Sequence, residues 1–416
     1  MPTTEPMTQP TITPRSGLHD GCFPRLRLAG ATGLLVALCG SVAAQPAWVE
    51  AERPILSNTV LLTSRDVFYK AGEQYFSPDA SQVIFQAVPV PEAGKLPAND
   101  YSMYVADVIR DEDGIITGLG EPLLVSAPGA ASTCGWFHPL NPGEIIFGST
   151  FVQPNSESGP GYSRPGGRYV WKFPHEMEVV TRSIQALGAP ADTATKPLFS
   201  RPGYDAEASF SLDGRYVLYA HVDEERSAAL GRPDADLYVF DTTTNTHVPL
   251  VVEKGYDGGP FFSPDMSWIC YRSDRFGDGN LQLFAAEIDY GPDGSIQGIK
   301  REVQITANQH VNWAPYFHPT GRFIVYTSSE VGHANYEVYA LEFNPDKPME
   351  DLWKYRITHA DGFDGLPVFS PDGKTMIWCA QRGPLAEGEG RPSSQIWVAD
   401  FDARALLQRV EGQGGF

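Results

Sequence analysis

Six phenylalanines, Phe76, Phe137, Phe210, Phe262, Phe317 and Phe369, share a column of residues five positions upstream: Ala71, Ser132, Asp205, Asp257, Asn312 and Asp364. Three carboxylates, one amide and one hydroxyl are hard oxygen donors. Brought to one point, the carboxylates would repel one another, and at least one would take up a proton unless a cation sat among them. Oxygen-only sets of this kind suit Ca²⁺. The column therefore predicts Ca²⁺ or another hard cation held by Asp205, Asp257, Asn312 and Asp364. Two positions further on, Glu73 and Glu207 extend the patch, and Ser132 adds a ligand-binding hydroxyl. In a related version the acidic patch receives a basic peptide segment or an amine. The competing reading is local: in Gly-Tyr-Asp-Gly-Gly and Gly-Phe-Asp-Gly the Asp caps a turn and binds nothing.

Such a column can converge only if the chain repeats, and it does. YFSPDASQVIFQA, FHPLNPGEIIFGS, FSLDGRYVLYA, FFSPDMSWICYRS, YFHPTGRFIVYTS and VFSPDGKTMIWCA recur at intervals of 52 to 73 residues. Each has an apolar stub ending at the Phe, then a Ser-Pro-Asp-Gly type of turn. Pro presets φ, Asp bonds locally, and Gly accepts positive φ. A run of β-branched and aromatic residues follows, which reads as a strand. Third strands are expected in SMYVADV, RYVWKF, DLYVFDT, LQLFAAEI, YEVYALEF and QIWVADFD, and fourth strands in VPLVVE, VQIT and YRIT. Six such units predict an all-β chain: a six-bladed β-propeller of four-stranded antiparallel blades. Val60–Thr63 has no earlier blade to join. It is expected to complete the last blade beside Gln395–Phe401, closing the ring and removing a free edge. The tail after Ala403 is expected to lie on the surface, partly disordered.

Composition agrees. Gly and Pro number 41 and 35 in 416 residues, which argues against long helices, while 42% hydrophobic residues argue against disorder. A net charge of −20 repels phosphate backbones, so a nucleic-acid partner is not expected. Arg25 and Arg27 precede an apolar run, Leu28 to Ala44, with Val42 and Ala44 as small residues before a cleavage site. This reads as a signal peptide over 1–44, giving a periplasmic or secreted propeller over 45–416. A retained anchor is the alternative; lipidation at Cys39 is disfavoured by Leu38 before it. No later stretch spans a membrane, and a monomer is expected. Cys134, Cys270 and Cys379 remain, an odd number in apolar or turn contexts, allowing at most one disulfide.

The hairpins FSPDGKTMIWCA and FFSPDMSWICYRSDR resemble the PD-type repeats of the TolB-like propeller family over nearly all of the chain after the signal. The resemblance implies the propeller fold and says little of function, because the motif residues are turn and core residues. The chain departs from TolB in lacking room for an α/β domain, since only about 20 residues lie between the expected cleavage site and the first repeat. GYDAEASF, GYDGGPFF, NWAPYFHP and FDGLPVFS are similar to a group of stand-alone exported propellers.

Other chemistry is weakly marked. Asp274, Asp278 and Asn280 lack the closing Glu of a calcium loop and read as a turn. His221, His310, His333 and His359 do not repeat in register, and HExxH and G-x-S-x-G are absent. Two functional readings follow. The first is an exported module that binds a protein or peptide partner through one face, with no catalytic residues assigned. The second is a propeller lyase or hydrolase acting on carbohydrate or peptide through a metal or carboxylate site, since paired carboxylates are the usual machinery of glycoside chemistry.

Overall fold

The computed structural model describes residues 46–141, 143–154, 173–184 and 195–413. The expected signal segment and residues 155–172, between the second and third repeats, lie outside them. The described residues form six antiparallel sheets arranged as propeller blades. The first blade runs Phe68–Phe76, Gln82–Pro89, Ser102–Arg110 and Ile116–Leu119, with Leu123–Leu124 sharing the outer position. The third is Asp205–Phe210, Tyr216–Val222, Ala235–Asp241 and Thr246–Val251, and the fourth is Asp257–Phe262, Trp268–Ser273, Gln282–Tyr290 and Ile296–Gln304. The fifth is Asn312–Phe317, Phe323–Ser328, Glu337–Glu342 and Lys354–Arg356.

The second blade differs from expectation. Its strands are Ser132–Phe137, Glu144–Ser149, Glu178–Ser183 and Thr195–Pro197. Among the described residues the third strand is EVVTRS; the expected RYVWKF lies, but for Phe173, outside them. Glu178–Ser183 pairs in register with Glu144–Ser149.

The sixth blade, Asp364–Phe369, Thr375–Ala380 and Gln395–Phe401, is completed by Leu56–Leu61 from the other end of the chain. Leu56 faces Phe401 and Leu61 faces Trp397. The edge that the repeat would leave open is thus paired.

The turns explain the repeated Ser-Pro-Asp. Ser77 Oγ donates to Asp79 Oδ1 at 2.7 Å while accepting from Gln82 N at 2.9 Å. Ser211, Ser263 and Ser370 make the same pair of bonds in their blades. Where His replaces Ser, its ring takes over: His318 Nδ1 meets Thr320 Oγ1 at 2.8 Å, and His318 Nε2 reaches the Gly373 carbonyl of the next blade at 3.1 Å.

Apolar packing lies between neighbouring blades. Tyr216, Leu218 and Leu237 of the third blade interlock with Ile269, Tyr271 and Phe284 of the fourth. Trp268, Cys270 and Leu283 do the same with Ile324, Tyr326 and Tyr339 of the fifth. Second strands are covered on both faces, so Phe323–Ser328 and Thr375–Ala380 are buried at every position. They read as continuous apolar runs for that reason. The tail corrects the sequence expectation: Ala403–Gln413 is a helix capped by Asp402, whose Oδ1 accepts from Ala405 N at 2.9 Å. Leu406 and Val410, one turn apart, are buried against Phe369, Trp378 and Phe401.

Candidate functional site

Each innermost strand contains a break three residues before the shared Phe. Glu73, Cys134, Glu207, Gly259, Ala314 and Leu366 all have positive φ, between 49° and 57°. Pairing with the second strand shifts across this position in all six blades. It is a bulge repeated six times, at roughly 1–2 kcal/mol of backbone strain for each non-Gly residue. In an unbroken strand, residues five, three and one before the Phe would share a face. The bulge removes that parity.

The column one residue before the Phe turns to the axis and fills it. Tyr75 and Phe261, from opposite blades, lie 5.7 Å apart, and Trp136 and Tyr316, also from opposite blades, 6.5 Å apart. Tyr75 and Trp136 at 4.8 Å and Phe261 and Tyr316 at 5.1 Å complete the plug. The channel is stopped at this level.

Above the plug lies a cavity of about 470 Å³. Four of the six bulge residues line it: Glu73, Cys134, Glu207 and Leu366. Ser132 lines it too, so Glu73, Ser132 and Glu207 share one cavity. Asp205, Asp257, Asn312 and Asp364 are not among its lining residues. Each bonds instead along its own blade. Asp205 Oδ1 meets His221 Nδ1 at 2.8 Å, and Asp257 Oδ1 accepts from Arg275 at 3.2 Å. Asn312 Oδ1 accepts from Ser328 Oγ at 2.9 Å. Asp364 Oδ1 accepts from Trp378 Nε1 at 2.9 Å and Arg382 Nε at 3.0 Å. Burial raises the Asp205 and Asp364 carboxyls, and lifts Asp257 to about 7. Among the described residues no three His, Cys, Asp or Glu side chains gather as a metal-holding group. Of the expected ligands only Glu73, Ser132 and Glu207 line the cavity, together with the carboxyl of Asp100.

The cavity floor is built around one ion pair. Arg272 Nη2 donates to Glu207 Oε2 at 3.1 Å. Tyr256 Oη donates to both Glu207 oxygens, at 2.8 and 2.9 Å, and accepts from Arg272 at 2.5 Å. Gly259 N donates to Glu207 Oε2 at 2.5 Å. The adjacent glycines Gly258 and Gly259 of GYDGGPFF make this possible. A Cβ at Gly258 would lie 2.2 Å from Tyr256 Oη, and one at Gly259 would lie 1.9 Å from Arg272 Nη1. They are strand residues that leave room for two larger side chains, not turn residues. Beside them Glu73 Oε1 accepts from Cys134 Sγ at 3.0 Å and Oε2 from Thr133 Oγ1 at 3.3 Å. Burial raises the Glu73 carboxyl, and the Glu207 charge adds to the rise. Burial also pushes the Cys134 thiol far up, so it is not a thiolate nucleophile. The three cysteines among the described residues, Cys134, Cys270 and Cys379, are free and buried.

The walls are aromatic. Tyr101, Phe173, Tyr204, Trp313, Tyr336 and Phe363 line the cavity. Lys70 and Arg391 are lining cations. Sequence reading missed Arg272, Gln86 and Cys379, which also line it. The signal was available: these stand ten residues after the shared Phe of their blades, opposite the position four residues before it.

Fold and site define a propeller with a blind, aromatic-walled channel mouth over a charged floor. The chain is TolB-like in sequence. It is 29% identical over 177 residues to the Tol-Pal system protein TolB of Wolinella succinogenes, covering 42% of this chain and 36% of that protein. It is 28% identical over 148 residues to TolB of Nitratidesulfovibrio vulgaris, covering 35% and 28%. The chain thus matches about a third of the length of these relatives. Among solved structures, TolB from Acinetobacter baumannii aligns over 79% of this chain and 65% of that one, at 16% identity and a TM-score of 0.46. No family model matches the chain.

Proposed function

We propose that the protein is an exported, periplasmic or secreted, binding module that takes a peptide segment of a protein partner into the channel mouth. The observation that carries this reading is the aromatic-walled cavity stopped by the Tyr75–Trp136–Phe261–Tyr316 plug. A concave, mostly preformed site with a few fixed polar groups is what a side chain or extended segment docks into. Aromatic walls supply the contact area of binding hot spots. The relatives named Tol-Pal system proteins support a partner that is a protein. The Arg25–Ala44 pattern supports export.

Peptide display on the purified chain tests the reading. Enriched peptides should bind the wild type and lose at least about tenfold in affinity to a Trp313→Ala, Phe363→Ala double variant, the loss expected for truncating hot-spot aromatics. No enrichment, or binding indifferent to these substitutions, would sink it. Repeating the titration with Ca²⁺ and with chelator reads out whether a cation at Glu73, Ser132 and Glu207 takes part. One observation favours the second reading, an enzyme: a raised Glu73 carboxyl shares the cavity with the carboxylate of Glu207, which is ion-paired to Arg272. Turnover of an oligosaccharide or peptide, lost in Glu73→Gln, would decide for it.

A further inference from the structure

The cavity breaks with the charge of the chain that builds it. Acidic residues outnumber basic ones 51 to 31 overall. Yet the cavity is lined by three cations, Lys70, Arg272 and Arg391, against three carboxyl groups, Glu73, Asp100 and Glu207, with His333 beside them. Arg272 is used up by Glu207.

The other two cations are different. Lys70 stacks its ammonium over the Tyr101 ring at 4.7 Å. Among the described residues neither Lys70 nor Arg391 has an ion pair with a carboxylate. Elsewhere Lys and Arg side chains are commonly paired, as with Arg226 to Asp234 and Asp236, Arg275 to Asp257 and Glu302, and Lys354 to Glu330. Of the described cations without an ion pair, Lys70 and Arg391 are the two that line the cavity. Gln381 and Ser394 line the same cavity and add neutral hydrogen-bonding groups.

Partial burial pulls the Lys70 ammonium below its ordinary value, so holding its charge there costs free energy that no neighbouring carboxylate offsets. A second, shallower groove, lined by His175, Val222, Glu224 and Pro233, shares Phe173 and Tyr204 with the cavity. An occupant therefore has room to extend out of the mouth over the third blade.

We infer that the channel mouth recognises an acidic peptide segment, with a side-chain or terminal carboxylate set against Lys70 and Arg391 and its apolar part against Trp313 and Phe363. This rests on the peptide-binding reading above and deepens it. It also reverses the expectation from sequence, in which the mouth was an acidic trap for a cation or a basic segment. Charge-assisted bonds to a carboxylate are about twice as strong as neutral ones, and a partly desolvated wall makes them selective.

The test uses the peptides enriched by display on the full chain. Asp and Glu should be over-represented among them. Changing those residues to Asn and Gln should weaken binding at least about tenfold, the usual loss for a hydrogen bond to a charged group. Lys70→Met and Arg391→Met should each shrink that ratio, and affinity for the wild type should fall with added salt. Arg391 is exposed, so its variant should keep the parent's melting temperature and remain a fair test if Lys70→Met fails to fold. Enriched peptides without acidic excess, or equal binding of acid and amide forms, would overturn this inference and leave peptide binding standing. Failure to enrich any peptide would instead remove the reading on which it rests.

Discussion

Glu73 shows what burial does to one side chain here. It sits at a left-handed position, accepts only from a thiol and a hydroxyl, and has no cation bonded to it. Burial raises its carboxyl above the ordinary value of 4.5. The folded state therefore keeps a proton that the unfolded chain has already released. The sign follows from linkage: the contribution of Glu73 to stability falls as pH rises above about 4.5. Glu73→Gln keeps an acceptor for Cys134 and Thr133 but cannot ionise. Its melting temperature should exceed that of the wild type by a margin that widens between pH 5 and pH 8. A margin constant with pH would mean that Glu73 ionises in the fold at no cost. That Glu73 and Glu207 share the cavity was legible from their common place in the repeat. Their partners were not, because Arg272 and Tyr256 reach Glu207 from the next blade, across some 50 to 65 residues of chain.

At the scale of elements, the short helix Ala47–Glu52 is held by a buried charge cluster. Arg382 donates to Glu52 at 2.9 and 3.0 Å and to Asp364 at 3.0 Å, and its guanidinium lies over Trp48 at 4.4 Å. Both members of each ion pair are about 1% exposed. Removing Arg382 would strand two carboxylates without a cation. Arg382→Met is expected to cost about 3–5 kcal/mol in chemical denaturation, the range for breaking a buried ion pair on one side. A cost below about 1 kcal/mol would show that the two carboxyls are neutral in the fold and need no partner. Asp364 is the residue at which the oxygen-ligand reading and the structure diverge most plainly. Its Gly-Phe-Asp-Gly setting suggested either a ligand or a turn cap, and it serves instead to tie the last blade to the start of the chain.

For the whole molecule the decisive element is Leu56–Leu61. It pairs with Gln395–Phe401 and leaves the sixth blade without an open edge. Deleting residues up to Leu61 would expose the strand Gln395–Phe401, with Trp397 and Val398, and the backbone groups that Leu56–Leu61 now satisfies. The expected outcome is a lower melting temperature and a rise in mass by light scattering, as the free edge recruits another chain. A truncated protein that stays at the mass of the parent would mean that the blade closes itself by other contacts. The repeat predicted this closure because a strand-like Val60–Thr63 had no blade of its own. It also predicted the blade count, since five Ser-Pro-Asp or His-Pro turns and one Ser-Leu-Asp turn must each begin a hairpin.

Local chemistry was therefore readable in the sequence by itself. Turn residues, alternating strands, the six-fold spacing and the leftover strand are all set by interactions within a few residues, or by counting. Only the tertiary structure decided which members of the two columns face the cavity: Ala71 and Ser132 of the first do, as do Glu73, Cys134, Glu207 and Leu366 of the second. Parity along a strand would have placed residues five and three before the Phe on the same face. A bulge at one residue per blade separates them, sending Glu73 and Glu207 into the cavity and Asp205, Asp257, Asn312 and Asp364 into their blades. Nothing in the side chains at the bulge announces it, because Glu, Cys, Gly, Ala and Leu all occupy the same left-handed position. Its strain is offset by packing and hydrogen bonds from adjoining blades, and those contacts exist only once the ring is closed.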